Sequence, residues 1–389
     1  MLTPRYYQQQ AIDAFFDYAS NNYGKHPIIV LPTGSGKSLV QANIIKKILE
    51  YEHTRVLMLT HQKELIKQNV GELIENLDND LFLDVGIYSA GLKKKEIGNR
   101  VTFAGIQSVW KKAWEMGWYD VILIDECHLI NDKNTGMYRT FLSESEKINK
   151  NILIVGLSAT PFRMKSGLLT DGEEALFNDI CHETSVKELI EPNHHNNLDK
   201  KQYLCRLISK GAVNKADLSN VHLRGGEYIP KEMQEAFQAK GLIVKSVQEL
   251  LTYTSDRKKI LIFAAGIKHG EEVLEEFRKL GVLAEIVHSE KTNDENDLNI
   301  LNFKRGAFKY LININSLTTG FNVKSIDCIA LLRSTKSPGL YSQMVGRGLR
   351  IHPDKEDCLI LDFGSNIVLH GPIDKIEIIS KKDGTREIS

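Results

Sequence analysis

Apolar residues in this chain come in short unbroken runs, separated by stretches where apolar positions recur at helical spacing. In the first half the runs are Ile28–Leu31, Val56–Thr60, Val85–Tyr88, Val101–Ala104, Val121–Ile124 and Ile152–Leu157. Such a run, bounded by turn residues, reads as a fully buried strand. Alternation of buried strands with helical segments predicts a mainly parallel sheet covered by helices. Ahead of the first run, Tyr7, Ala11, Ala14, Phe15 and Tyr18 predict a helix within residues 1–24 that packs on this sheet. A second block starts near Ala239, with a helix to Tyr253 and further helices at His269–Leu280 and Asn296–Lys304. Its strands are predicted at Ile260–Ala264, Ala284–His288, Tyr310–Ile314, Cys328–Leu332 and Cys358–Phe363. From Phe162 to Lys240 the pattern loosens: His194–Lys201 is polar, and Gly225-Gly226 and Pro230 punctuate the rest. The chain therefore reads as α/β, with one domain over 1–190, a connecting helical or hairpin insertion over 191–238 and a second domain over 239–389.

A length of 389 residues suits two to three domains of roughly 150 residues. The formal net charge is zero, so any polyanionic partner must be met by a local groove and not by global charge. No stretch approaches the roughly 18 uninterrupted apolar residues of a membrane span, and Tyr6–Gln10 runs straight into a helical pattern without a secretory leader. Cys127, Cys181, Cys205, Cys328 and Cys358 are odd in number and scattered, without a CxxC pair. They read as reduced thiols of a cytoplasmic protein. His194-His195 has no partners at ligand spacing, so a solvated loop is expected there and not a metal site.

The stretch Leu31–Ser38, LPTGSGKS, sits between a predicted strand and a predicted helix. That is the context of a phosphate-binding loop. Thr33, Gly34, Ser35 and Gly36 would cradle phosphates with backbone N–H groups at a helix N-terminus. Lys37 would reach the β/γ-phosphates of ATP and the Ser38 hydroxyl would ligate Mg²⁺. Leu31 departs from the general pattern, which has a small residue there. After the run Val121–Ile124, Asp125 is placed to hold Mg²⁺ and Glu126 to deprotonate an attacking water. Ser158 and Thr160 close another strand, where their hydroxyls, with His128, can report the state of the acidic pair. In the second block Gln343–Arg350 puts Arg347 and Arg350 three apart, on one helix face. They would neutralise charge on a transferring γ-phosphoryl.

In order and spacing, the phosphate loop, the Asp125–His128 run, Ser158–Pro161 and Gln343–Arg350 resemble motifs I, II, III and VI of the superfamily 2 helicases. Further matches are Arg5, Tyr7 and Gln8 (an adenine-recognising element), Leu59–His61 (Ia), Gly105–Ser108 (Ib), Ile262–Ala264 (IV) and Thr318–Phe321 (V). The resemblance covers nearly all of residues 1–370. Tyr88–Lys93, Glu174–Phe177 and Thr318–Phe321 with Ser342–Arg350 look like the bacterial RadD-type repair helicases. RadD-type proteins carry a cysteine-rich zinc module after the core, and no such cysteines are present here. Asn322 stands where motif V usually has Asp. A compact phage-borne relative would fit such a core.

The resemblance implies two RecA-like domains with Mg·ATP in the cleft between them. It also implies a motor that moves 3′→5′ along single-stranded DNA and unwinds or remodels forks and branches in replication or repair. Lys37, Asp125, Glu126, Gln343, Arg347 and Arg350 would be catalytic. Arg5, Gln8, the phosphate loop, Gly320 and Asn322 would bind nucleotide. Thr60, His61, Ser108, Thr318 and Thr319 would grip the strand, and His128, Ser158 and Thr160 would couple the two events. Single-stranded or branched DNA is the implied partner, beside a single-strand-binding protein or other replication and repair proteins, with a monomeric, nucleoid-associated motor. A restriction-complex motor and a nucleotide-gated clamp are the alternatives. Lys93–Lys95, Arg100 and Trp110–Trp114 form a basic and aromatic run that is a candidate DNA contact.

Overall fold

The structure is a computed structural model. It describes residues 3–61, 63–76, 84–131, 133–163, 167–314, 321, 323–376, 378–380 and 386–388. Its contacts divide the chain into two units: residues 1–188, 193–200 and 378–388 form the first, and 189–192 and 201–377 the second.

The first unit opens with α1 (Tyr6–Asn21), β1 (Pro27–Val30), α2 (Lys37–Ile48), β2 (Val56–Thr60) and α3 (Lys63–Asn76). It continues through β3 (Val85–Ser89), β4 (Lys94–Lys95), β5 (Val101–Gly105), α4 (Ile106–Val109), α5 (Ala113–Met116), β6 (Val121–Asp125), α6 (Met137–Ile148) and β7 (Leu153–Ser158). Then come the short hairpin β8 (Phe162–Arg163) and β9 (Gly167–Leu168), and the strand β10 (Asp179–Glu183). The main sheet runs β10-β1-β7-β6-β2-β5-β3-β4, parallel except where β4 turns back on β3. Strands β1, β2, β5 and β6 are buried on both faces, which is why they read as continuous apolar runs. In β6, Ile122 and Ile124 join Phe141 and Leu142 of α6 in one core cluster, while Leu123 is buried outside it.

After β10 the chain forms α7 (Val186–Ile190). The second unit then has β11 (Arg206–Gly211), a two-stranded hairpin β12 (Leu223–Arg224) and β13 (Glu227–Tyr228), α8 (Pro230–Phe237) and α9 (Leu242–Tyr253). It continues with β14 (Ile260–Ala264), α10 (Ile267–Lys279), β15 (Ala284–His288), α11 (Asn293–Arg305), β16 (Tyr310–Ile314), β17 (Cys328–Leu332), α12 (Pro338–Gly346), β18 (Asp357–Asp362) and α13 (Asn366–His370). Its sheet runs β11-β18-β17-β14-β16-β15, and every pair in it is parallel. The pair β19 (Ile378–Ser380) and β20 (Arg386–Ile388) clusters with the first unit.

Helix boundaries follow local chemistry. At α11, Thr292 accepts the Glu295 N–H while Glu295 reaches back to the Thr292 N–H, a reciprocal cap. At α12, Ser337 caps the Leu340 N–H and Pro338 occupies the first turn. On α1 the buried positions are Tyr7, Gln8, Ala11, Ile12 and Phe15; Ala14 and Tyr18, which share their spacing, are only half-buried. The stretch 191–238 supplies β11, an edge strand of the second sheet, as well as the hairpin and α8. Among the described residues no helix is long and apolar enough to cross a membrane.

Candidate active site

Parallel sheets place their ligand-binding loops at the carboxyl ends of the strands. Along that edge of the first sheet, the loops after β1, β7, β6, β2 and β5 stand side by side. They carry the phosphate loop, Ser158–Thr160, Asp125–His128, Thr60–His61 and Ser108 respectively.

The loop after β1 turns through Gly34 and Gly36, both left-handed at φ +87° and +86°, and α2 begins at Lys37. Any side chain at Gly36 would meet Gln8, because its Cβ would lie 2.5 Å from Gln8 Nε2. Helix α1 holds this loop from behind: Tyr7 Oη and Gln8 Nε2 both donate to the Ser35 carbonyl at 2.8 Å. Gln8 Oε1 accepts the Arg5 N–H, and Arg5 Nη1 donates to Tyr7 Oη. Ser35 turns inward and its hydroxyl donates to the Pro32 carbonyl. Thr33 is half-buried and Gly34 exposed.

Glu126 adopts a left-handed backbone, φ +52°, which costs a non-glycine residue energy and concentrates at functional sites. Its carboxylate lies between Lys37 and His128. One oxygen is 2.8 Å from Lys37 Nζ, and the other 3.3 Å from His128 Nδ1. Asp125 Oδ1 accepts the Glu126 N–H at 3.0 Å and lies 3.8 Å from Lys37 Nζ. Burial raises the Asp125 pKa, and Glu126 beside it adds to that against the pull of Lys37. For Glu126 burial also opposes ionisation, but Lys37 and His128 outweigh it and hold the carboxyl below its ordinary range. Burial likewise works against charge on Lys37, and the two carboxylates more than offset it.

His128 passes the contact on. Its Nδ1 is 2.9 Å from Ser158 Oγ and 3.4 Å from Thr160 Oγ1. Ser158 Oγ also lies 3.0 Å from the Thr160 carbonyl and accepts the Thr160 N–H. Thr60 is buried, the His61 carbonyl accepts from Gln107, and Ser108 Oγ accepts the Ala90 N–H.

In the second unit the helix expected to carry both arginines ends at Gly346. Arg347 and Arg350 therefore do not share a helix face. The chain tightens into turns in which Gly348 and Leu349 N–H groups donate three residues back. Gly348 lies against Cys358, where a Cβ would come within 2.5 Å of the sulfur. The guanidinium groups converge nevertheless: Nη1 of each donates to the Phe321 carbonyl, at 3.4 and 3.5 Å. Burial and the neighbouring Arg350 bring the Arg347 pKa down to about 10, and burial lowers that of Arg350. Gln343 is half-buried on α12. Thr318, Thr319, Gly320 and Asn322 lie outside the described residues.

Comparison with known proteins adds an independent line. The family described as type III restriction enzyme, res subunit, matches residues 1–163, and the helicase conserved C-terminal domain matches 243–352. The chain belongs to superfamily 2 of the helicases. The helicase-named protein irc3 of Schizosaccharomyces pombe is 30% identical over 370 residues, 92% of this chain and 57% of that protein. The chain thus spans little more than half of that relative. The ATP-dependent DNA helicase uvsW of bacteriophage T4 is 22% identical, over 93% of this chain and 68% of its own length. In fold, a fragment named as an HsdR subunit of a type I restriction enzyme from Vibrio vulnificus superposes with TM-score 0.68 at 20% identity, covering 99% of this chain and 70% of that one. The two α/β units are the two RecA-like domains of the superfamily.

The donor set of this superfamily 2 core suits a magnesium nucleotide. Asp125 and Ser38 offer hard oxygen ligands at one edge of the sheet, after strands two apart, few enough to leave positions for water and phosphate, as Mg²⁺ requires. Two residues with no motif signature also touch the site, both from α3. Gln68 Nε2 donates to Ser38 Oγ at 3.2 Å, and Asn69 stabilises the Asp125 carboxylate. In sequence they are polar positions on an amphipathic helix, which a solvated face would also explain. The basic run splits up. Arg100 spends its guanidinium on the Leu49 and Tyr51 carbonyls and Lys112 binds Tyr88 and Glu115, whereas Trp114 is exposed and Lys111 sits over the Trp110 ring.

Proposed function

We propose that this chain is a nucleic-acid-stimulated ATPase that moves along single-stranded DNA, 3′→5′, and unwinds or remodels forks and branched DNA in replication or repair. The observation that carries the reading is Lys37 held between Asp125 and Glu126. The lysine neutralises the base, its Nζ 2.8 Å from the Glu126 carboxylate. When ATP enters, Lys37 exchanges these carboxylates for the β/γ-phosphates, and Glu126 is released to orient and deprotonate the attacking water. Thr33–Gly36 cradle the phosphates, Arg5 and Gln8 meet the adenine, and Gly320 and Asn322 the ribose. Ser38 and Asp125 would hold Mg²⁺, whose chemistry is to neutralise charge on the phosphate oxygens. Arg347 and Arg350, with Gln343 beside them, stabilise charge on the γ-phosphoryl group. Thr60, His61, Ser108, Thr318 and Thr319 grip backbone phosphates, so little sequence preference follows. His128, Ser158 and Thr160 relay the state of Glu126 to the neighbouring loop. DNA as substrate is supported by the T4 relative's name, and a repair setting by the RadD-like stretches.

ATPase assays without DNA and with single-stranded, duplex and forked DNA test the reading. Glu126→Gln should keep ATP binding and lose turnover by about 10²–10⁴-fold; robust hydrolysis by that variant would remove Glu126 from the mechanism. A second reading, the motor of a restriction complex, is supported by the res-subunit match and the HsdR-like fold. It expects translocation without strand separation and a nuclease partner. Triplex displacement without unwinding of a tailed duplex would select it.

A further inference from the structure

The helix that leads to the two arginines is held at its other end by a residue outside every motif. Glu227, on the second strand of the hairpin β12–β13, lies about a hundred residues ahead of α12 in the chain, yet both its carboxylate oxygens accept from the loop that enters it, and Oε1 also accepts the Tyr228 N–H at 2.9 Å. Oε1 accepts the Lys336 N–H at 2.8 Å. Oε2 accepts the Ser337 N–H at 3.2 Å and the Thr335 hydroxyl. The Tyr228 ring lies under Lys336, 5.1 Å from Nζ to its centroid. On its far side the same loop is pinned to α13, with the Thr335 N–H donating to Asn366 Oδ1 at 3.0 Å and the Thr335 carbonyl 2.8 Å from His370 Nε2. Asn366 also donates to the Arg333 carbonyl and to Asp362.

We infer that Glu227 is a positioning residue for Arg347 and Arg350, acting through α12; the inference rests on the ATPase reading above. A carboxylate at the amino end of a helix complements the unsatisfied N–H groups and the dipole there. Nine residues of α-helix span about 13 Å and move as one piece, so a displaced amino end displaces the arginines at the other. Misplacing a transition-state contact by about 1 Å can cost up to 10²-fold. The hairpin's turn, Gly225-Gly226, needs left-handed backbone at both positions, φ +63° and +88°, which glycine adopts without strain. That turn presents Glu227 to the loop.

The test is a double-mutant cycle on the full chain, read as DNA-stimulated ATPase kinetics. Glu227→Ala should lower kcat roughly 10- to 100-fold, with a smaller change in KM for ATP. Glu227→Gln, whose amide oxygen still accepts a hydrogen bond, should fall between it and the parent. In an Arg347→Ala background Glu227→Ala should add no more than about two-fold, the usual tolerance of additivity. Losses that multiply across the cycle would mean that Glu227 acts elsewhere, and would overturn the inference. If thermal unfolding shows that Glu227→Ala does not fold, the same cycle with Glu227→Gln decides it. Arg347→Ala turning over at the parent rate would instead remove Arg347 from the mechanism and overturn the inference with it, whereas a parent chain without DNA-stimulated turnover would sink the ATPase reading itself.

Discussion

The two units handle buried positive charge in opposite ways. In the first, Lys37 is enclosed by Asp125 and Glu126 from a loop two strands away. In the second, burial and the neighbouring Arg350 both work against the charge on Arg347, whose Nη1 donates to the neutral Phe321 carbonyl. A lysine supplied with counter-charge is a closed state that a phosphate must displace. The Arg347 guanidinium, buried beside a second one, gains from the arrival of an anion. In the proposed ATPase reading, the first unit's lysine and carboxylates would hold and activate, and the second unit's arginines would meet developing charge.

Removing the cation from each unit should sharpen the contrast most. Lys37→Ala leaves two buried carboxylates without their cation, and breaking a buried pair in this way costs about 3–5 kcal/mol. The loss should be larger at pH 8 than at pH 5, because at lower pH the carboxylates can protonate. Urea unfolding at the two pH values measures it, and equal stability to the parent would break the comparison.

Next in size is an effect the two units share. Burial depresses His182 in the first unit and His269 in the second to about 4. A histidine whose folded pKa lies below its unfolded value contributes stability that is full above about 6.5 and is lost as pH falls towards 4. Each should therefore cost about 3 kcal/mol over that interval. His269 Nδ1 accepts the Ala265 N–H at 3.2 Å. His269→Gln keeps an acceptor there and removes the titration, so it should flatten the acid dependence of the second unit alone. An unchanged acid slope in urea midpoints between pH 7 and 4.5 would contradict this.

The smallest effect has the opposite sign from the first. Arg347→Met deletes a buried charge that lies beside another, so thermal stability should hold or rise by up to about 1 kcal/mol while turnover collapses. A loss of stability approaching that of Lys37→Ala would show that Arg347 is structurally compensated, and the comparison would fail.

Much of the fold was legible in the chain itself. Strands β2, β14, β16 and β17 have the boundaries their apolar runs predict, because they are buried along their whole length, and the edge strand β15, buried only over Ile286–His288, matches as well. The glycine turn between β1 and α2 and the Asp125–Glu126 turn after β6 were legible for a related reason: glycines and carboxylates that follow an apolar strand mark where it ends. The edge strands β10 and β11 were not. Each buries a single side chain fully, so Asp179–Glu183 and Arg206–Gly211 carry no hydrophobic pattern to read.

Local pattern records how deeply each position is buried, and that much the amino-acid order determined alone. It does not record which distant group a side chain will meet. Tertiary structure alone brought Lys37 to Glu126 across 89 positions, ended α12 before its arginines, and closed Glu227 on a loop 108 to 110 residues further on. Those pairings depend on sheet order and helix packing, which set distances between segments that share no periodicity.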